Sequence, residues 1–170
     1  MDYSELEAHI LQMIVAASEE DVRAFGEETV TRLVRPELLR GAAEDELTDE
    51  ARAVLGTACA NVLTISAAEL HDALATMYDG ILVEDGLDTG VLTVISALEH
   101  WKSYLEQNRR GELYELAIRS IEDIDHEVSA DLHDFLATPQ MAAEYQRIRR
   151  LLDPGARQEH DARQSGTHQR

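Results

Sequence analysis

Leu113, Ala117, Ile121, Ile124 and Val128 fall at steps of four or three along the chain. That spacing stacks side chains along one side of an α-helix and is incompatible with the two-residue alternation of a half-buried strand. The same interval governs Val91, Val94, Ile95, Leu98, Trp101 and Leu105, with Asn108 to Gly111 marking the end of the helix. A chain whose apolar residues keep this interval in nearly every segment has few choices beyond packed helices.

The first half follows suit. Leu6, Ile10, Met13 and Ile14 give one face to a helix over Tyr3 to Ala17. Ser18, with Asp21 three residues on, caps a second helix carrying Val22, Phe25, Val30, Leu33 and Val34. Pro36 interrupts that helix or opens a short one reaching Arg40, because proline lacks a backbone donor and suits a first helical position. Thr48 is read as the cap of a helix presenting Ala51, Val54, Leu55, Ala58 and Val62. Ser66-Ala67-Ala68-Glu69 is a full capping box opening a helix with Leu70, Leu74, Met77 and Tyr78. Residues Asp79 to Gly90, bearing glycines and acids, form the longest internal connection, in which Ile81, Leu82 and Val83 can pack.

The helix from Glu112 is expected to run on through Leu132 and Phe135. Thr138-Pro139 then starts the last helix, with Ala142, Tyr145, Ile148, Leu151 and Leu152, and Asp153-Pro154-Gly155 stops it. Ala156 to Arg170 has no large apolar residue, too little burial to offset the entropy of ordering. The fold class is therefore all-α: a compact bundle of about six to eight helices forming one domain over residues 1–153, with a disordered C-terminal tail over 154–170.

The chain has 170 residues and a formal net charge of −19. Asp153, Glu159 and Asp161 balance Arg157, Arg163 and Arg170, so the excess lies in residues 1–152. Such a surface repels nucleic acid, which is held through basic contacts to phosphate, and anionic membranes for the same reason. It favours encounter with a basic protein. The N-terminal stretch bears Asp2, Glu5 and Glu7 and no Lys or Arg, the reverse of a signal peptide, and no apolar run approaches a membrane span. The expected location is the cytoplasm. Cys59 is the single cysteine and sits between alanines, the setting of a small buried hydrophobe.

The densest polar cluster runs from Glu122 through Asp123, Asp125, His126 and Glu127 to Asp131, His133 and Asp134. Asp123 and His126 lie three apart on one helical face, the acid-x-x-His spacing that helical di-metal proteins use twice. The second copy is missing here, and the stripe through Ile121, Ile124 and Val128 turns most of these acids toward water. The loop from Asp79 fails as a calcium loop in both registers: Gly86 at the sixth position puts Ile81 first, and Gly90 there puts Leu87 third. Neither a nucleophile elbow nor a phosphate-cradling or dinucleotide-binding glycine motif occurs, and no cofactor is expected. The histidines read as surface groups beside acids. Trp101 follows an apolar stripe and belongs to the core, whereas Tyr104 and Tyr114, with Glu122 and Asp125, read as partner-facing residues.

Asp88-Thr89-Gly90-Val91, Ile95-Ser96-Ala97 and Ala117-Ile118-Arg119-Ser120 together resemble the YjaG-like family of uncharacterised bacterial proteins. Pro139, Glu144-Tyr145 and Ile148 to Leu152 are similar too, as are Phe25 to Leu38 upstream. The Trp-Glu pair associated with that family is absent, the matching region reading Ala60-Asn61-Val62. The resemblance implies a compact all-helical fold and brings no activity or catalytic residues.

The resulting expectation is a non-enzymatic protein-binding module, an inhibitor, immunity-type or regulatory partner acting through an acidic helical face. Two alternatives are kept: a metal-dependent helical enzyme or metal carrier built on Asp123 and His126, and a structural homodimer formed through the helices of residues 91–136.

Overall fold

Helix boundaries follow the local capping chemistry in a computed structural model that describes residues 1–158. Helix α1 (Tyr3–Ala16) starts at Asp2, whose side chain accepts from Glu5 N while Glu5 returns a carboxylate to Asp2 N. This reciprocal pair satisfies two donors that the first turn leaves without helical partners. Helix α2 (Glu19–Leu33) begins after Ser18, whose hydroxyl accepts from Asp21 N at 3.1 Å. A 3-10 turn, Pro36–Leu39, follows the proline.

The short helix α3 (Ala42–Glu46) has no apolar periodicity to announce it, and sequence reasoning left it out. Helix α4 (Asp49–Ala60) is capped by Thr48, and α5 (Ala67–Asp79) by the Ser66–Glu69 box. Val62, expected within α4, lies beyond it, because the backbone turns at Asn61. Helices α6 (Thr89–Gln107), α7 (Arg110–Val128) and α8 (Pro139–Leu152) complete the order. α6 ends at Asn108 in the left-handed conformation, φ 51°, a common way to stop a helix. α8 starts as expected, with Thr138 accepting from Met141 N and Pro139 in the first turn.

Helix α7 does not continue to Phe135. Ser129 turns left-handed at φ 50°, and the amides of Ser129 and Ala130 fold back onto Asp125, onto its carbonyl and its carboxylate respectively. Leu132 is left exposed, while Phe135 is buried edge-on against Tyr3, with ring centroids 5.0 Å apart. Residues 154–158 form a further helical turn, with Ala156 buried, where the sequence suggested the tail had begun. The remainder of the expected tail, together with His160 and His168, lies outside the described residues.

Besides the turn at 154–158, the described residues contain eight α-helices and one 3-10 helix, and extended pairing among them is limited to isolated bridges such as Leu47 with Ile81. The fold is all-α. None of these helices is long and apolar enough to cross a membrane.

Contacts group the chain into two compact units. One joins Met1–Phe25 to the segment from Ser120 onward; the other is the continuous stretch Gly26–Arg119. In the first, Leu6, Ile10, Ile14, Val22, Phe25, Ile121, Met141 and Ile148 are buried. In the second, Leu55, Leu70, Met77, Val94, Leu98, Trp101, Leu113 and Leu116 are buried. The indole of Trp101 donates to Val62 O at 3.0 Å, which ties α6 to the turn after α4. A side chain at Gly26 would stand 2.7 Å from Leu113 Cδ2 and 2.8 Å from Trp101 Cζ3, so α2 comes this close to α6 and α7 only through glycine.

Candidate functional site

An open groove of about 530 Å³ lies on the hairpin of α4 and α5. Both of its walls are set by the local chemistry of the chain. Thr48 accepts from Ala51 N and orients the start of α4. At the other end Asn61 closes α4, its side-chain amide donating to Thr57 O at 2.8 Å, and Ile65 N returns to Asn61 O. Glu69 N donates to the Ser66 hydroxyl and the Glu69 carboxylate accepts from Ser66 N at 2.9 Å, so α5 leaves the turn in a fixed direction.

On this frame α4 contributes Ala53, Val54, Thr57 and Ala58 to the groove. The turn adds Asn61, Thr64 and Ile65, and α5 adds Glu69 and Ala73. The recess exists because most of these residues are small where a packed hairpin would carry larger side chains. Beneath Ala58 and Ala73 the interior is closed by Leu55, Leu70, Leu74, Met77 and Leu98.

The electrostatics are one-sided. The two hydrogen bonds from Ser66 hold the Glu69 carboxyl below the usual glutamate range. Glu50 lies a turn before Ala53 and Val54 on α4, and Asp72 lies one turn beyond Glu69; all three carboxylates are exposed. Arg52 belongs elsewhere: it pairs with Asp49 and lines, with Arg40, Leu39 and Glu44, a smaller recess of about 270 Å³. The groove lining offers hydroxyls, an amide and a carboxylate, but neither imidazole nor thiol. Burial pushes the neighbouring Cys59 thiol up to about 12, which leaves it protonated and a poor nucleophile.

The residues singled out from sequence are placed differently. Tyr104 is not a surface residue. It is 4% exposed and lies against Trp101, ring centroids 5.5 Å apart, because three residues along a helix return to the same face. Tyr114 is half-buried. On α7, Glu122 and His126 are exposed, Asp123 and Asp125 are half-buried, and the Asp125 carboxylate accepts from Ala130 N at 2.7 Å, so it shapes the turn. Ile124 and Val128, expected to continue the inward stripe, are half-buried, the fully buried part of it ending at Ile121. Among the described residues no three His, Cys, Asp or Glu side chains converge as a metal site requires.

The histidines are not uniformly surface groups either. His100 Nδ1 lies 2.7 Å from Glu112 Oε2 across the α6–α7 pair, both side chains about a quarter exposed. Across the hairpin of α5 and α6, Tyr78 donates to Glu99, and burial together with that carboxylate pushes the phenol pKa up. The groove itself escaped sequence reasoning. Its only trace was the run of small residues on α4, which reads equally as tight packing.

No family model matches this chain, and neither a curated protein nor a solved structure matches it.

Proposed function

We propose that this chain is a non-catalytic protein-binding module that engages a basic protein partner through an acidic helical face. The observation that carries the reading is the α4–α5 groove, an open recess with a largely apolar floor, the exposed Glu69 carboxylate in its lining and exposed Glu50 and Asp72 a helical turn along its two helices. The chain around it has a net charge of −19. Water held over apolar surface is released when a partner covers it, and the surrounding carboxylates speed and orient the approach of a positively charged one.

Affinity capture from native lysate of the source cell tests the reading. A basic protein is expected in stoichiometric amount at low salt, with recovery falling as salt rises because surface charges are screened. Recovery of no partner at either low or physiological salt would overturn it.

A further inference from the structure

Resting on the protein-binding reading, we infer that the α4–α5 groove is the docking site for a basic amphipathic helix of the partner. Three features of the groove decide its occupant. First, the floor is made by the small or half-buried side chains of Val54, Ala58, Ile65 and Ala73, so the occupant must supply the bulk, as aliphatic anchors do.

Second, the walls offer no backbone pairing. Both walls are helices rather than a sheet edge, and in the turn between them Asn61 N, Thr64 N and Ile65 N all donate to backbone carbonyls. An extended peptide laid here would leave its own backbone unpaired, whereas a helix arrives with its backbone satisfied. Third, Glu69 brings an exposed carboxylate to the lining, with the exposed Glu50 and Asp72 about a helical turn away along α4 and α5, while Arg52 lines the smaller recess. The matching occupant carries Lys or Arg flanking an apolar stripe. A second copy of this chain, itself at −19, is repelled by those same carboxylates.

A fluorescein-labelled synthetic helix of leucine and lysine in amphipathic order, its scrambled isomer, and a glutamate-for-lysine counterpart serve as probes in anisotropy titrations of the full chain. The amphipathic basic helix is expected to bind at least about tenfold more tightly than the scrambled isomer, which has the same charge. Thr57→Trp fills the groove from an exposed position and is expected to weaken binding about tenfold. Glu50→Gln with Asp72→Asn should weaken it less and flatten its salt dependence. Glu115→Gln, at an exposed position of α7, should leave it unchanged, and circular dichroism with urea midpoints establishes that each variant is folded.

Equal binding of the ordered and scrambled helices, or wild-type affinity in the Thr57→Trp protein, overturns the inference. So does a result in which small apolar molecules fill the groove and the basic helix does not displace them. A partner captured from lysate equally well by wild-type and Thr57→Trp protein would sink the groove assignment alone and leave the protein-binding reading standing.

Discussion

The two compact units solve the same folding problem with different means. The continuous unit, Gly26–Arg119, is assembled from neighbours in sequence, and its caps at Thr48, Ser66 and Asp88 each involve residues two or three positions apart. Its deeply buried side chains are nearly all apolar, and Trp101 satisfies its single polar atom on Val62 O. The other unit brings residues from both ends of the chain together and keeps charge inside. Glu144 and Arg147, 3% and 8% exposed, form a forked pair with contacts of 2.8–3.2 Å, and the guanidinium lies 6.0 Å from the ring centre of Phe25. Arg157 reaches Asp21 at 2.6 Å. Apolar contacts accept many partners, whereas a forked ion pair accepts few arrangements; this one is made within α8, three residues apart, and it is buried in the unit that the two ends of the chain build together.

That contrast can be broken most directly at Arg147. Arg147→Met leaves the Glu144 carboxylate without its fork in a buried site and should cost about 3–5 kcal/mol in urea unfolding. Adding Glu144→Leu should recover a large part of the loss. Strictly additive losses would mean that the pair is not coupled and that the units do not differ in this respect.

In the continuous unit the corresponding weak point is steric. A methyl at Gly80 would collide with Ala51 Cβ, where Thr48 N meets Gly80 O at 2.8 Å. Gly80→Ala should therefore cost about 1–3 kcal/mol by overpacking, read from the same unfolding curves. A neutral result would show that α4 and α5 separate easily, and would weaken the case for a preformed groove.

A smaller effect is expected at Asp21. The hydrogen bond from Arg157 holds its carboxyl below the ordinary value, against the opposing effect of burial. A lowered folded-state pKa contributes stability above the unfolded value of about 4 and loses it as pH falls through the folded value. Among the described residues Arg157 Nε is buried without a partner, which offsets part of the gain. Asp21→Asn should cost about 0.5–1 kcal/mol at neutral pH, with the difference from wild type shrinking below pH ~4. A difference that persists unchanged in acid would remove the ion pair from the account.

The smallest perturbation probes the apolar unit without altering it. With the Cys59 thiol raised to about 12, alkylation by iodoacetamide at neutral pH should be slow in the native protein and fast once urea unfolds it, followed by mass spectrometry. Rapid native labelling would mean that the hairpin opens readily.

Local chemistry was legible in the sequence to the extent that it was local. Thr48, Ser66 and Thr138-Pro139 start helices because a hydroxyl three residues from an amide needs no other part of the chain. The Asp2–Glu5 box follows the same rule, but in sequence it is hidden among the acids of the first turn. Tyr104 was misplaced for a different reason: a tyrosine reads as amphipathic, and only the packing around Trp101 turned it inward. Likewise Asp125 looked like one surface acid among several until the chain folded back and Ala130 N claimed it.

Periodicity and capping by themselves determined that this chain is helical, where most of its helices begin, and that its surface is strongly negative. Those properties follow from interactions within a few residues or from summed charge. The groove between α4 and α5, the buried Glu144–Arg147 pair and the abrupt end of α7 were decided by tertiary structure. A recess is space left over after helices pack, and although Glu144 and Arg147 stand three residues apart on α8, their burial depends on what packs over them; neither quantity is defined until distant segments meet.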